Sequence, residues 1–159
     1  KSLSKRLSDA TGESYAHSVR KTVVKIVADA YAWVELFSGS EKGEFVKREM
    51  EEAETVITPD TVVAEVARKY IREGIEERIV RNRLSTILEA SEPAHIDDEV
   101  AIEAGKAYLQ LETRARKLGF KKPSLFDGLV LAVARMTDSK VLTGDKHFKG
   151  LPETIWIEA

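Results

Sequence analysis

The chain has no cysteine, only four prolines, few aromatic residues (7%) and no long uninterrupted apolar run. Without cysteine, disulfides and thiolate metal sites are excluded, and a reducing cytoplasm is the expected setting. No stretch approaches the roughly 20 apolar residues of a membrane helix, and no signal-peptide pattern is seen, so no membrane association is expected. A basic excess is also missing. The net charge of -2 and a pI near 6.0 exclude a uniformly basic face, so any role on nucleic acid must rest on a local patch. There is no Walker loop, GxGxxG, HExxH or Ser-His-Asp arrangement, and His17, His95 and His147 are scattered.

What is present is enough for one ordinary domain: 159 residues, 43% of them hydrophobic. The organising stretch is Val23 to Phe37, VVKIVADAYAWVELF, a β-branched run that ends in a single carboxylate, Asp29, and passes at once into a helical segment. It reads as a buried parallel strand delivering one acid at its carboxyl end, where open α/β sheets bind ligands. Residues 1–22 carry five basic and two acidic residues without periodic apolar patterning. They are read as a basic extension outside the main fold, solvated or serving as a partner-contacting arm. The domain proper is expected over 23–159.

The periodicity predicts helices over 30–37 and 41–54, a strand at TVIT (55–58), and a helix capped by Thr58 with Pro59 at its first position. A further helix is expected over 75–89, broken by Pro93, then an extended piece at His95-Ile96. A long helix follows Asp97 or Asp98 and ends at Gly119. Ser124 and Asp127 form a capping box opening a strongly apolar helix, and KVLT (140–143) and TIWI (154–157) close the pattern as strands. Strands alternating with helices imply a three-layer α/β/α domain with a largely parallel sheet.

Four carboxylates occupy comparable places: Asp29 after the first strand, Glu65 in the helix after the second, Asp127 in the first turn of a late helix, and Asp145 just past KVLT. Right-handed crossovers put such positions at one sheet edge. Packed together, the acids would repel and raise one another's pKa unless a divalent cation neutralised them, and oxygen ligands favour Mg²⁺ or Mn²⁺. Each acid also has a local explanation: Asp29 and Asp127 as caps, Asp145 as a turn residue, Glu65 as a solvated helix residue.

The segments around these acids, VVKIVAD, TPDTVVAEV, SLFDGLVLAVA and VLTGDKHF, resemble the four acidic motifs of PIN domains, most closely the VapC-type toxins of prokaryotic toxin–antitoxin pairs. The resemblance implies a Mg²⁺- or Mn²⁺-dependent endoribonuclease acting on single-stranded RNA, with Asp29, Glu65, Asp127 and Asp145 as catalytic metal ligands. Asp29 and Asp127 would hold the main ion, Glu65 and Asp145 would complete its shell, and Thr143 would orient an acid or a bound water. The family commonly has Thr or Ser directly after the first Asp; Ala30 stands there, so one supporting hydroxyl is missing. An antitoxin protein and a second copy of the chain are the implied partners.

The basic residues Arg114, Arg116, Lys117, Lys121 and Lys122 lead straight to Asp127 and are read as a substrate path, the alternative being a helix end that favours cations. Lys146 and His147 are further candidates for phosphate contact. Tyr31, Trp33 and Phe37 are read as core or interface rather than base-stacking residues. An RNA-processing or scaffolding module with little catalysis is the alternative function. A phosphoacceptor receiver domain fits less well, because VADA (27–30) offers no paired acid.

Overall fold

The run Lys25–Ala28 forms β1, whose Ile26, Val27 and Ala28 are buried. In the computed structural model, which describes residues 23–158, it lies at the centre of a five-stranded parallel sheet ordered β3-β2-β1-β4-β5. The other strands are β2 (Thr55–Pro59), β3 (Glu92–Ala94), β4 (Lys140–Thr143) and β5 (Thr154–Trp156). Among the described residues, six helices connect them: α1 (Ala30–Ser38), α2 (Glu41–Glu52), α3 (Asp60–Arg72), α4 (Glu77–Ala90), α5 (Asp98–Leu118) and α6 (Leu125–Met136). The expected extension over 1–22 lies outside the described residues.

The sheet grows from β1 through β2 to β3, then returns to β4 on the other side of β1. Right-handed crossovers therefore place α1 to α4 on one face and α5 and α6 on the other, giving the expected α/β/α layers. The strand order reverses between β1 and β4. That switch point is where parallel sheets open a crevice at their carboxyl ends.

Helix α6 is buried along Gly128–Ala134, as an almost wholly apolar helix must be. It packs on α5 at Gly128, where an added Cβ would fall 2.8 Å from the Ala104 carbonyl and 2.9 Å from Tyr108 Cβ. Hydrogen at this position lets the two helices approach, and so sets the height of Asp127 above the sheet.

Two local readings are corrected. Thr58 is not the cap of α3: it remains in β2 opposite Pro93, and Pro59 caps the helix without a side-chain bond. The Thr58 hydroxyl is claimed elsewhere. Trp33 Nε1 donates to it (3.1 Å), it hydrogen-bonds Ser91 Oγ (2.8 Å), and Ser91 donates to the Ile87 carbonyl (2.6 Å), joining α1, β2 and the end of α4. The second correction is β3, a strand over Glu92–Ala94 that runs through Pro93, where a break was expected with the extended piece following at His95-Ile96. Proline is tolerated because β3 is an edge strand.

Candidate metal centre

Asp29 is the first residue past β1 and the N-cap of α1, with extended backbone and its Oδ1 accepting from the Ala32 amide at 3.0 Å. Its other oxygen accepts from the Thr143 hydroxyl at the end of β4. Thr143, fully buried, also accepts from the Asp145 amide at 2.9 Å. One hydroxyl thus ties together the acids that end the two strands flanking the switch point.

Asp127 enters from the other helical layer. Its Oδ2 accepts from the Ser124 amide (2.8 Å) while Ser124 Oγ accepts from the Asp127 amide (3.3 Å), completing the expected capping box. Asp145 turns the chain after β4, its Oδ1 accepting from the His147 amide at 2.9 Å and from His147 Nδ1 at 2.8 Å. Three of the four acids therefore do fill the local roles of cap or turn. Glu65, half-buried on α3, accepts no hydrogen bond among the described residues.

Asp29, Glu65 and Asp127 each sense the charge of a neighbouring acid. Burial pushes Asp29 up to about 7, opposed by the Thr143 hydroxyl and the Ala32 amide and reinforced by Asp145 and Asp127. Burial likewise pushes Glu65 up to about 7, reinforced by Asp127, opposed by Arg68 and reinforced again by Asp145. Asp127 is raised by burial, against the Ser124 amide, with Asp145 adding to the rise. Groups arranged in this way bind protons as a set and yield them to a cation.

The donor set fits a hard divalent ion. Among the described residues no hydrogen bond engages Glu65, the second oxygen of Asp127 or that of Asp145, so these oxygens are free to ligate. Ligand atoms of Asp127, Asp145 and His147 lie within 4.8 Å of one another. The imidazole is already committed, however: Nδ1 meets Asp145 Oδ1 and Nε2 meets the Lys121 carbonyl at 2.7 Å. Two acceptors call for two N–H groups. Burial lowers the pKa of His147, but the Lys121 carbonyl and the Asp145 and Asp127 carboxylates outweigh it and raise the group overall. With both ring nitrogens engaged, His147 orients Asp145 rather than facing phosphate as expected; sequence offered only the D-x-H spacing as a signal.

The basic path is dispersed by the fold. Arg114 Nη1 donates to the His147 carbonyl at 2.8 Å and Nη2 to the Lys149 carbonyl, pinning the loop after β4 to α5. Arg116 and Lys122 both pair with Glu112, at 3.4 and 3.2 Å. Lys117 lines a groove of about 440 Å³ on α5 with Leu109, Gln110, Thr113 and Arg114. Lys121 reaches His147 through its carbonyl, and the Lys146 ammonium lies 5.0 Å from the Phe120 ring centroid. Arg68, one turn beyond Glu65, is a cation near the centre that the sequence reading overlooked; only the i, i+3 spacing could have flagged it.

A parallel sheet with acids from four separate segments gathered at the carboxyl ends of its strands defines an α/β protein of the three-layer kind. A family model of the PIN domain matches residues 26–153, and the chain belongs to that family. Solved structures share the fold. Mycobacterium tuberculosis VapC20, described as a Sarcin-Ricin loop cleaving toxin, superposes with a TM-score of 0.61 at 18% identity, covering 80% of this chain and 97% of its own. A toxin–antitoxin complex from Klebsiella pneumoniae gives 0.60 at 17% identity, covering 84% and 98%. M. tuberculosis VapBC-5 gives 0.54 at 20% identity, covering 86% and 99%. No curated protein matches the sequence.

Proposed function

We propose that the chain is a Mg²⁺- or Mn²⁺-dependent endoribonuclease that hydrolyses phosphodiester bonds of single-stranded RNA in the cytoplasm. The observation that carries this reading is Glu65. Caps and turns account for the other three acids, whereas Glu65 is a half-buried glutamate that accepts no hydrogen bond among the described residues and feels Asp127 and Asp145 with only Arg68 to offset them. Mutually repelling carboxylates cost stability, and a cation explains their keeping.

Asp29, Asp127, Asp145 and Glu65 would hold the ion. When bound, it activates water and offsets charge developing on the phosphoryl oxygens. The Thr143 hydroxyl holds one Asp29 oxygen and accepts from the Asp145 amide, and His147 holds one Asp145 oxygen. Hydrolysis leaves a phosphate on one fragment and a hydroxyl on the other.

The toxin–antitoxin complexes among the structural relatives support a toxin role in which an antitoxin covers this centre. Exposed Ile71, Leu88, Ile102 and Leu109 supply apolar surface for that partner and for a homodimer. The reading is tested by incubating labelled single-stranded RNA with Mg²⁺, Mn²⁺ or EDTA, using wild type, Asp29→Asn and Asp127→Asn. Metal-dependent cutting lost in both variants is expected. No cutting, together with no calorimetric metal binding that the variants remove, would overturn it.

A further inference from the structure

Two aromatic–ammonium pairs flank the Asp145 turn, one from each helical layer. On the α1 side, the Tyr31 ring lies against Gly144, so closely that an added Cβ there would collide with it. Lys42 of α2 donates to the Tyr31 hydroxyl at 3.1 Å, its ammonium 5.8 Å from the ring centroid. On the α5 side, Phe120 meets the His147 ring edge-on at 6.3 Å, and the Lys146 ammonium lies 5.0 Å from the Phe120 centroid. Because Gly144 precedes Asp145 and His147 bonds it, both pairs are anchored to the same acid.

Neither lysine forms an ion pair among the described residues, whereas Arg116 and Lys122 share Glu112 and Arg114 is spent on carbonyls. A ring beside a cation is the unit with which proteins hold unpaired nucleotides: the ring accepts a base face and the cation a phosphate. A duplex keeps its base faces stacked inside and offers only phosphates. Free anions would use the lysines alone.

We infer that Tyr31–Lys42 and Phe120–Lys146 form a track that carries single-stranded RNA across the acid centre, one pair engaging nucleotides on each side of the scissile phosphate. This deepens the ribonuclease reading and rests on it for the direction of the strand. Tyr31 packs against the core, as expected, and the track gives it a second role.

The test measures fluorescence anisotropy of a short labelled single-stranded RNA with Mg²⁺ over a salt series, in a Glu65→Gln background that removes a ligand without breaking a hydrogen bond. Lys42→Ala and Lys146→Ala are each expected to flatten the slope of log affinity against log salt by about 0.7, and the double variant by about 1.4. Phe120→Leu is expected to weaken single-strand binding about tenfold, since stacking contributes roughly 1–3 kcal/mol per base, and to leave duplex binding unchanged. Lys106→Ala, whose ammonium pairs with Glu103 on α5, serves as the control with an unchanged slope. Slopes equal to that control in both lysine variants overturn the track, as does an equal loss on duplex RNA. Lysine-dependent binding by a wild type that cuts nothing sustains the track and overturns the nuclease; cutting with unaltered slopes does the reverse.

Discussion

Replacing Asp29 by Asn removes a buried charge while keeping the shape of a helix cap, and the outcome depends on which effect is larger. Burial and neighbouring acids move Asp29 from 3.8 to about 7. Ionising it inside the fold therefore costs up to about 4 kcal/mol, at 1.36 kcal/mol per unit. Asn is as good an N-cap as Asp, so the bond to the Ala32 amide survives. Its amide group would meet the Thr143 hydroxyl less well than a carboxylate does, a loss of about 1–2 kcal/mol.

The sign follows from linkage. The folded pKa is raised, so between about 4 and 7 the folded protein binds more protons than the unfolded chain, and wild-type stability falls as pH rises through that window. In EDTA at pH 8, Asp29→Asn is then expected to be more stable by about 2–3 kcal/mol, or roughly 5–10 °C in Tm for a chain of this size. Near pH 5 most of the charge penalty is absent and the two proteins should melt together. Mg²⁺ at about 100 times Kd stabilises wild type by about 2.7 kcal/mol and leaves the variant where it was, so the gap at pH 8 closes; at about 1,000 times Kd the gain of about 4.1 kcal/mol reverses the order. Thermal melts at the two pH values, with EDTA or Mg²⁺, provide the measurement. An Asn variant less stable than wild type at both pH values in EDTA would refute the reasoning and leave Asp29 as a cap that needs its charge.

Thr143→Val keeps the volume but removes the hydroxyl shared by Asp29 and the Asp145 amide; calorimetry should show metal affinity weakened about 10–100-fold, and urea unfolding a loss of roughly 2–3 kcal/mol. Arg114→Ala should cost about 1–3 kcal/mol in denaturant unfolding by leaving two carbonyls short of a donor, with the salt dependence of RNA binding unchanged; a flatter salt slope would restore Arg114 to the substrate path. Gly128→Ala should destabilise by about 1–3 kcal/mol through collision with Ala104 and Tyr108, and weaken metal binding by displacing Asp127. Gly105→Ala, on the same helix pair but with no atom within 4 Å of the added Cβ, should stabilise by about 0.5–1 kcal/mol, as seen by thermal melts of the two variants side by side.

Much of the scaffold was legible because it is locally encoded. The KIVA and KVLT runs are strands since both faces are buried, the apolar stretch after Asp127 is a helix with its capping box, and Gly119 ends α5 with φ of 70°. The positions of Asp29, Asp127 and Asp145 at strand ends and helix starts, and of Glu65 in the second turn of α3, follow from these elements, and the comparable placement of the acids pointed to their meeting. Strand β3 was missed because Pro93 reads as a breaker until its place at the sheet edge is known. Thr58 was misread because its hydroxyl is claimed by Trp33, 25 residues away.

What the sequence determined by itself is therefore the alternation of strands and helices and the presence of one acid at each of three element ends, with a fourth in the second turn of α3, since these depend on short-range periodicity and caps. Only the tertiary structure decided what the neighbouring cations do. Arg114 became a loop clamp and His147 a partner that orients Asp145, while Lys42 and Lys146 were left beside aromatic rings on either side of the Asp145 turn. Side-chain charge is written in the chain, but a cation's partner is whatever acceptor the sheet's crossovers bring within about 3 Å, and those acceptors are carbonyls and carboxylates far away in sequence.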